Sequence, residues 1–201
     1  MAISSKLREF LNKSSIQNLL HENDLDKFLN ISFTELETTD YKKLIELLLY
    51  RYDNLFDELN KLNAGMFADI TFTTAITLNP TISIIPSQCF ENSTIGSISA
   101  LGVETISSKA FYNCAKLTNI DLGEVGAIGS SAFSGCTALT HIDIPNSICI
   151  IGSKAFANCP NLKTINYLGT KEECRKVFWA ATWDGTFDSS AIKIVCIDGE
   201  M

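Results

Sequence analysis

Apolar positions in this chain follow one rhythm up to about residue 65 and a different one beyond it. From Tyr41 to Leu62, the residues Tyr41, Ile45, Leu48, Tyr52, Leu55, Leu59 and Leu62 fall alternately four and three apart. That spacing predicts a long amphipathic helix, with Thr38 or Thr39 at its start and Gly65 at its end. Leu44, Leu47 and Phe56 widen the stripe, which favours packing in a small bundle over a free coiled coil. Two shorter helical stretches are expected before it, around Ser4 to Leu11 and Ile16 to Leu29.

After the segment Asn63 to Phe67, which reads as a short linker, the pattern repeats at long period. Phe90, Phe111, Phe133 and Phe156 lie 21, 22 and 23 residues apart. Cys114, Cys136 and Cys159 each follow their phenylalanine by three residues, and Leu117, Leu139 and Leu162 keep the same register. Ile120, Ile142 and Ile165 keep it too, and an isoleucine precedes each phenylalanine at Ile85, Ile106, Ile128 and Ile151. A unit this short cannot close a core alone, so its copies must stack as a solenoid. Segments such as Leu117 to Leu122 and Leu139 to Ile144 alternate as short strands do, and stacking them in parallel predicts one continuous sheet. The phenylalanines then form one internal column and the cysteines another, continued by Ser93.

The run LTHIDIPNSICIIGSKAFANCPNLKTI resembles the BspA-like class of bacterial leucine-rich repeats. That class combines an isoleucine-glycine step, an alanine-phenylalanine pair, a cysteine and a leucine-x-x-isoleucine strand. The resemblance spans residues 70 to 166, and INYLGTKEEC, Trp183 and IKIVCIDGEM resemble its closing motif, with Cys174 where tryptophan is common. The first repeat departs from the pattern at Gln88-Cys89-Phe90. A helical head joined to a small array also resembles proteins encoded by phages and prophages of low-GC bacteria. The expected fold class is therefore α+β. It comprises a helical domain over 1–65, a right-handed solenoid of four to five rungs over 66–166, and a C-terminal cap over 167–201.

Composition narrows the function. The chain has 201 residues, 46% apolar and 19% charged, with net charge −7. The first 65 residues contribute −3 and the rest −4, so neither part is a charged tail. Residues 70–166 hold 31 Ser, Thr and Asn among 97 positions, a poor composition for long helices. The acidic balance disfavours both nucleic acid and anionic membranes as partners. The charged N-terminus does not read as a signal peptide, which points to the cytoplasm of a host cell or a virion as the location.

Candidate chemistry is sparse. Ladder cysteines at 22- and 23-residue steps form a line, whereas zinc needs four ligands around one point. Cys89, Cys149, Cys174 and Cys196 share no ligand spacing. His21 reads as a surface residue. His141 should share a sheet face with Asp121 and Asp143, but a flat face lacks the cleft that catalysis requires. Asp121, Asp143 and Asn166 supply too few oxygens for calcium. Gly123, Gly126 and Gly129 open no phosphate-binding helix, and Trp179 and Trp183 read as cap packing. No catalytic residue, metal or cofactor is expected.

The remaining expectation is a non-enzymatic protein-binding module. Its face would carry Asn119, Asp121, His141, Asp143, Thr164 and Asn166 against another protein of unknown identity. Alternatives are a virion component that self-associates through Tyr41 to Leu62, and a phage inhibitor of a bacterial defence enzyme.

Overall fold

The computed structural model describes residues 62–185 and 192–201. The helices expected before Leu62 lie outside them. Residues Leu62–Met201 form one compact unit.

Its strands are short and recur with the repeat. They are β1 (Ile76–Thr77), β2 (Ile84–Ile85), β3 (Ser97–Ser99), β4 (Thr105–Ile106), β5 (Asn119–Asp121) and β6 (Ala127–Ile128). After these come β7 (His141–Ile144), β8 (Ile150–Ile151), β9 (Thr164–Tyr167), the helix α1 (Lys171–Cys174), β10 (Phe178–Trp179), β11 (Lys193–Cys196) and β12 (Gly199–Glu200). The α+β class is thus corrected: the described residues are almost all β, and α1, one turn long, is the helix among them. Within each rung the apolar residues alternate over only two to four positions before a turn, so no stretch offers a helix a continuous stripe.

The single continuous sheet is also corrected. Odd-numbered strands, joined by β12 at one edge, form two sheets, β1-β3-β5 and β7-β9-β11-β12, while β2, β4, β6, β8 and β10 form a third. Pairing is parallel throughout except for β11 with β12. The third sheet runs along the isoleucines that precede each phenylalanine, Ile85, Ile106, Ile128 and Ile151, with Trp179 aligned at its end. Two residues are too few to show alternation in a sequence, but stacking gives each pair a neighbour and thereby a hydrogen-bond partner.

The third arc of each turn carries the phenylalanine and has no strands. Its backbone nevertheless forms a ladder: the Phe90, Phe111 and Phe133 N–H groups donate to the carbonyls of Ala110, Ala132 and Ala155 at 2.8 Å. Two left-handed residues bracket each phenylalanine. Gln88, Lys109, Ser131 and Lys154 precede one by two positions; Asn92, Asn113, Gly135 and Asn158 follow by two. Asparagine and glycine tolerate positive φ better than most residues, which explains their recurrence at the second position. There the side chains also join: Asn113 Nδ2 donates to Asn92 Oδ1 at 3.2 Å, and Asn92 Nδ2 to Asp69 Oδ1 at 2.9 Å.

Inside, the rings of Phe90, Phe111, Phe133 and Phe156 stack with centroids 5.2 to 5.5 Å apart and planes within 3°. Phe67, which spacing alone places in a linker, adds a ring 5.4 Å from Phe90. Trp183 ends the column edge-on to Phe156 at 6.1 Å and takes its rung's hydrogen bond through its carbonyl. Phenylalanine, alanine, cysteine and isoleucine columns together form the core.

Candidate functional site

The two outward columns of the odd-numbered strands come from alternation. Ile98, Ile120, Ile142 and Ile165 point inward and are buried, so the residues on either side of each point outward. Register aligns Ser97 with Asn119 and Ser99 with Asp121. It likewise aligns His141 with Thr164 and Asp143 with Asn166. Asn119, Asp121, His141 and Asp143 are exposed, while Thr164 and Asn166 are half-buried.

These six residues do not form one unbroken array, because β5 and β7 belong to different sheets. Continued pairing would set Asp121 opposite Asp143, and like charges directly opposite destabilise strand pairs. Each carboxylate turns instead to a neutral donor on its own side. Asp143 Oδ1 accepts from Asn166 Nδ2 at 2.7 Å, and Asp121 Oδ1 accepts from the Gly123 N–H at 3.3 Å. The seam leaves a depression of about 340 Å³ lined by Asn119, Asp121, Leu122, Asp143, Pro145 and Leu168. His141 meets the hydroxyl of Thr140, with 3.1 Å between Nδ1 and Oγ1.

Spacing missed one contributor to this face. Strand β11 pairs with β9 and brings Lys193 beside Thr164 and Val195 beside Asn166. Lys193 lies 2.9 Å from Glu200 of the antiparallel β12, and this partner raises its pKa. The signal was the apolar run Ile194-Val-Cys196, hidden by the 29-residue step from Ile165 to Ile194. The cap between them is held by a capping box, in which Thr170 and Glu173 exchange side-chain to backbone hydrogen bonds. Those bonds keep the Glu173 carboxyl below its usual range.

The cysteine ladder has a hydrogen-bonding role. Each thiol donates to the phenylalanine carbonyl of the preceding rung: Cys114 to Phe90 at 2.9 Å, Cys136 to Phe111 at 3.3 Å, and Cys159 to Phe133 at 3.1 Å. Ser93 Oγ continues the column at 3.5 Å from Cys114 Sγ. Burial pushes the thiols of Cys114 and Cys159 up to about 11, and that of Cys136 well above its ordinary value. In the unfolded chain these thiols ionise near 9.0. The folded state therefore binds protons more tightly, and the stability these thiols contribute is fully present below pH 9 and lost as the pH rises through 11. Thermal melts across that window should show a falling midpoint, with a shallower fall for Cys136→Ala. Equal slopes in the two proteins would remove the ladder thiols as the cause.

Six copies of the BspA type leucine-rich repeat region match residues 60–181. The chain belongs to this family. Phe67, Phe90, Phe111, Phe133 and Phe156 lie inside the matched span, and Trp183 lies just beyond it. No curated protein matches the chain. A solved structure, a leucine-rich repeat protein from Bacteroides ovatus ATCC 8483, is 21% identical with a TM-score of 0.39; the match covers 70% of this chain and 46% of that one. The chain thus spans about half the length of that protein.

Proposed function

We propose that this BspA-type repeat protein is a non-enzymatic interaction module that binds another protein on the outward columns of β5, β7 and β9. The observation that carries the reading is the set of outward residues, aligned within each of two sheets, over a core of stacked rings. Alternate residues of successive strands project from a scaffold held by stacked rings and backbone ladders. Such a face loses little conformational freedom on binding, so its contacts are not spent on ordering the scaffold. The side chains it offers are small and polar, with two carboxylates and one histidine, and they suit hydrogen bonding to a protein surface.

The test is capture of the partner from a lysate of the source organism with the full chain and with His141→Arg/Asp143→Arg. Both positions are exposed, so the variant should melt with the wild type yet lose the partner. A partner retained at wild-type yield would rule out this face. A phage or prophage setting, in the host cytoplasm or on the virion, belongs to the same proposal and is supported by the organisation of the sequence.

A further inference from the structure

We propose that the seam between β5 and β7 receives an arginine or lysine side chain of the partner, with Asp121 and Asp143 meeting its charge. This inference rests on the strand-face reading and narrows it to one chemistry. Three features of the depression point the same way. It lies where pairing lapses between β5 and β7, so a side chain can enter there below the level of the strands. Its two carboxylates lie at successive positions of one outward column, and both line the cavity. Neither makes an ion pair among the described residues; their bonds go to the neutral Gly123 N–H and Asn166 amide, which leaves further acceptor capacity on both.

The rest of the lining suits the stem of such a residue. Leu168, 51% exposed, is the lining residue that offers apolar surface, while Leu122 and Pro145 line the depression with little of their own area exposed. Long basic side chains lay their methylenes along apolar surface and hold the charged head where it can be met. Arginine fits best, because its planar fork can bond two carboxylates at once, and such charge-assisted bonds are about twice as strong as neutral ones. A neutral apolar side chain would fill the volume but would leave two carboxylates partly desolvated without compensation. An acidic one would be repelled.

The probe is a random linear peptide library selected on the full chain, with the recovered sequences remade as synthetic peptides. The expected result is an arginine or lysine at one fixed position. Replacing that residue with citrulline or norleucine should weaken binding by about tenfold or more. Asp121→Asn/Asp143→Asn, which keeps the acceptor oxygens used within the fold, should weaken it to the same degree at an unchanged melting temperature, and added salt should weaken it further.

Peptides that lose binding to His141→Arg/Asp143→Arg but carry no required basic residue, and bind Asp121→Asn/Asp143→Asn normally, would overturn the basic-side-chain inference and leave the strand face standing. Peptides indifferent to both variants, or failure to select any, would count against both.

Discussion

Phe133→Ala is expected to destabilise the folded unit by about 3 to 5 kcal/mol, the usual cost of removing a buried phenylalanine from a core that cannot collapse. Phe133 is fully buried between Phe111 at 5.2 Å and Phe156 at 5.5 Å, with its ring nearly parallel to both. Closing the gap would require the rungs to approach each other. Their spacing is held by strand pairs and by the hydrogen bond from the Phe133 N–H to the Ala155 carbonyl at 2.8 Å, so the cavity should remain. Phe133→Leu should recover part of the loss, because it restores volume without the stacked ring. Chemical denaturation of the full chain and both variants gives the comparison. A cost below about 1 kcal/mol for the alanine variant would show that the array relaxes around a missing ring.

Gly129→Ala is expected to cost about 1 to 3 kcal/mol or more, although it adds a single methyl group. A Cβ at residue 129 would lie 2.6 Å from the Ser108 nitrogen and 2.7 Å from the Ser107 carbonyl carbon. Both are backbone atoms of the preceding rung, so no rotamer change relieves the clash. The rungs would have to part where the Gly129 N–H donates to the Ile106 carbonyl at 2.8 Å. Gly152 is in the same position against Ser130, with a Cβ approach of 2.6 Å, and should behave alike. Gly96 is the control: a Cβ there would come no nearer than 3.8 Å to the Lys116 carbonyl oxygen, and Gly96→Ala should change stability by less than about 0.5 kcal/mol. Equal effects at 96 and 129 would mean that rung contact is not what selects glycine after the isoleucine.

Both predictions rest on columns that can be read directly from the repeat. A residue type that recurs every 21 to 23 positions must meet the same neighbours in each copy, so stacking follows from spacing. This holds for the phenylalanine rings, for the inward isoleucines, and for the cysteines, whose thiols find the preceding rung's carbonyl. It also holds for the six outward residues as positions, since alternation alone sets them on one side of their strands. Asparagine or glycine recurs two residues after each phenylalanine in the sequence, but its meaning as left-handed backbone came from the structure.

The ends of the array were harder to see because the motif is incomplete there. Phe67 lies 23 residues before Phe90 and is followed by strand β1, but has Ile70 where later copies carry cysteine, and Trp183 follows Phe156 by 27 residues with a different ring. Each belongs to the column because a terminal ring would otherwise expose one face to water, so an aromatic residue from either side is drawn onto it.

By itself the sequence determined the repeat, the parallel stacking and the columns that form the core, since each follows from contacts repeated identically at one period. Tertiary structure decided that the coil carries a second line of strands, that β11 extends the outward face, and that pairing lapses between β5 and β7. These features depend on whether a particular pair of rungs can share hydrogen bonds given all the side chains and charges around it. Asp121 and Asp143 occupy ordinary repeat positions, but only their juxtaposition turns the surface between them into a recess bordered by two carboxylates.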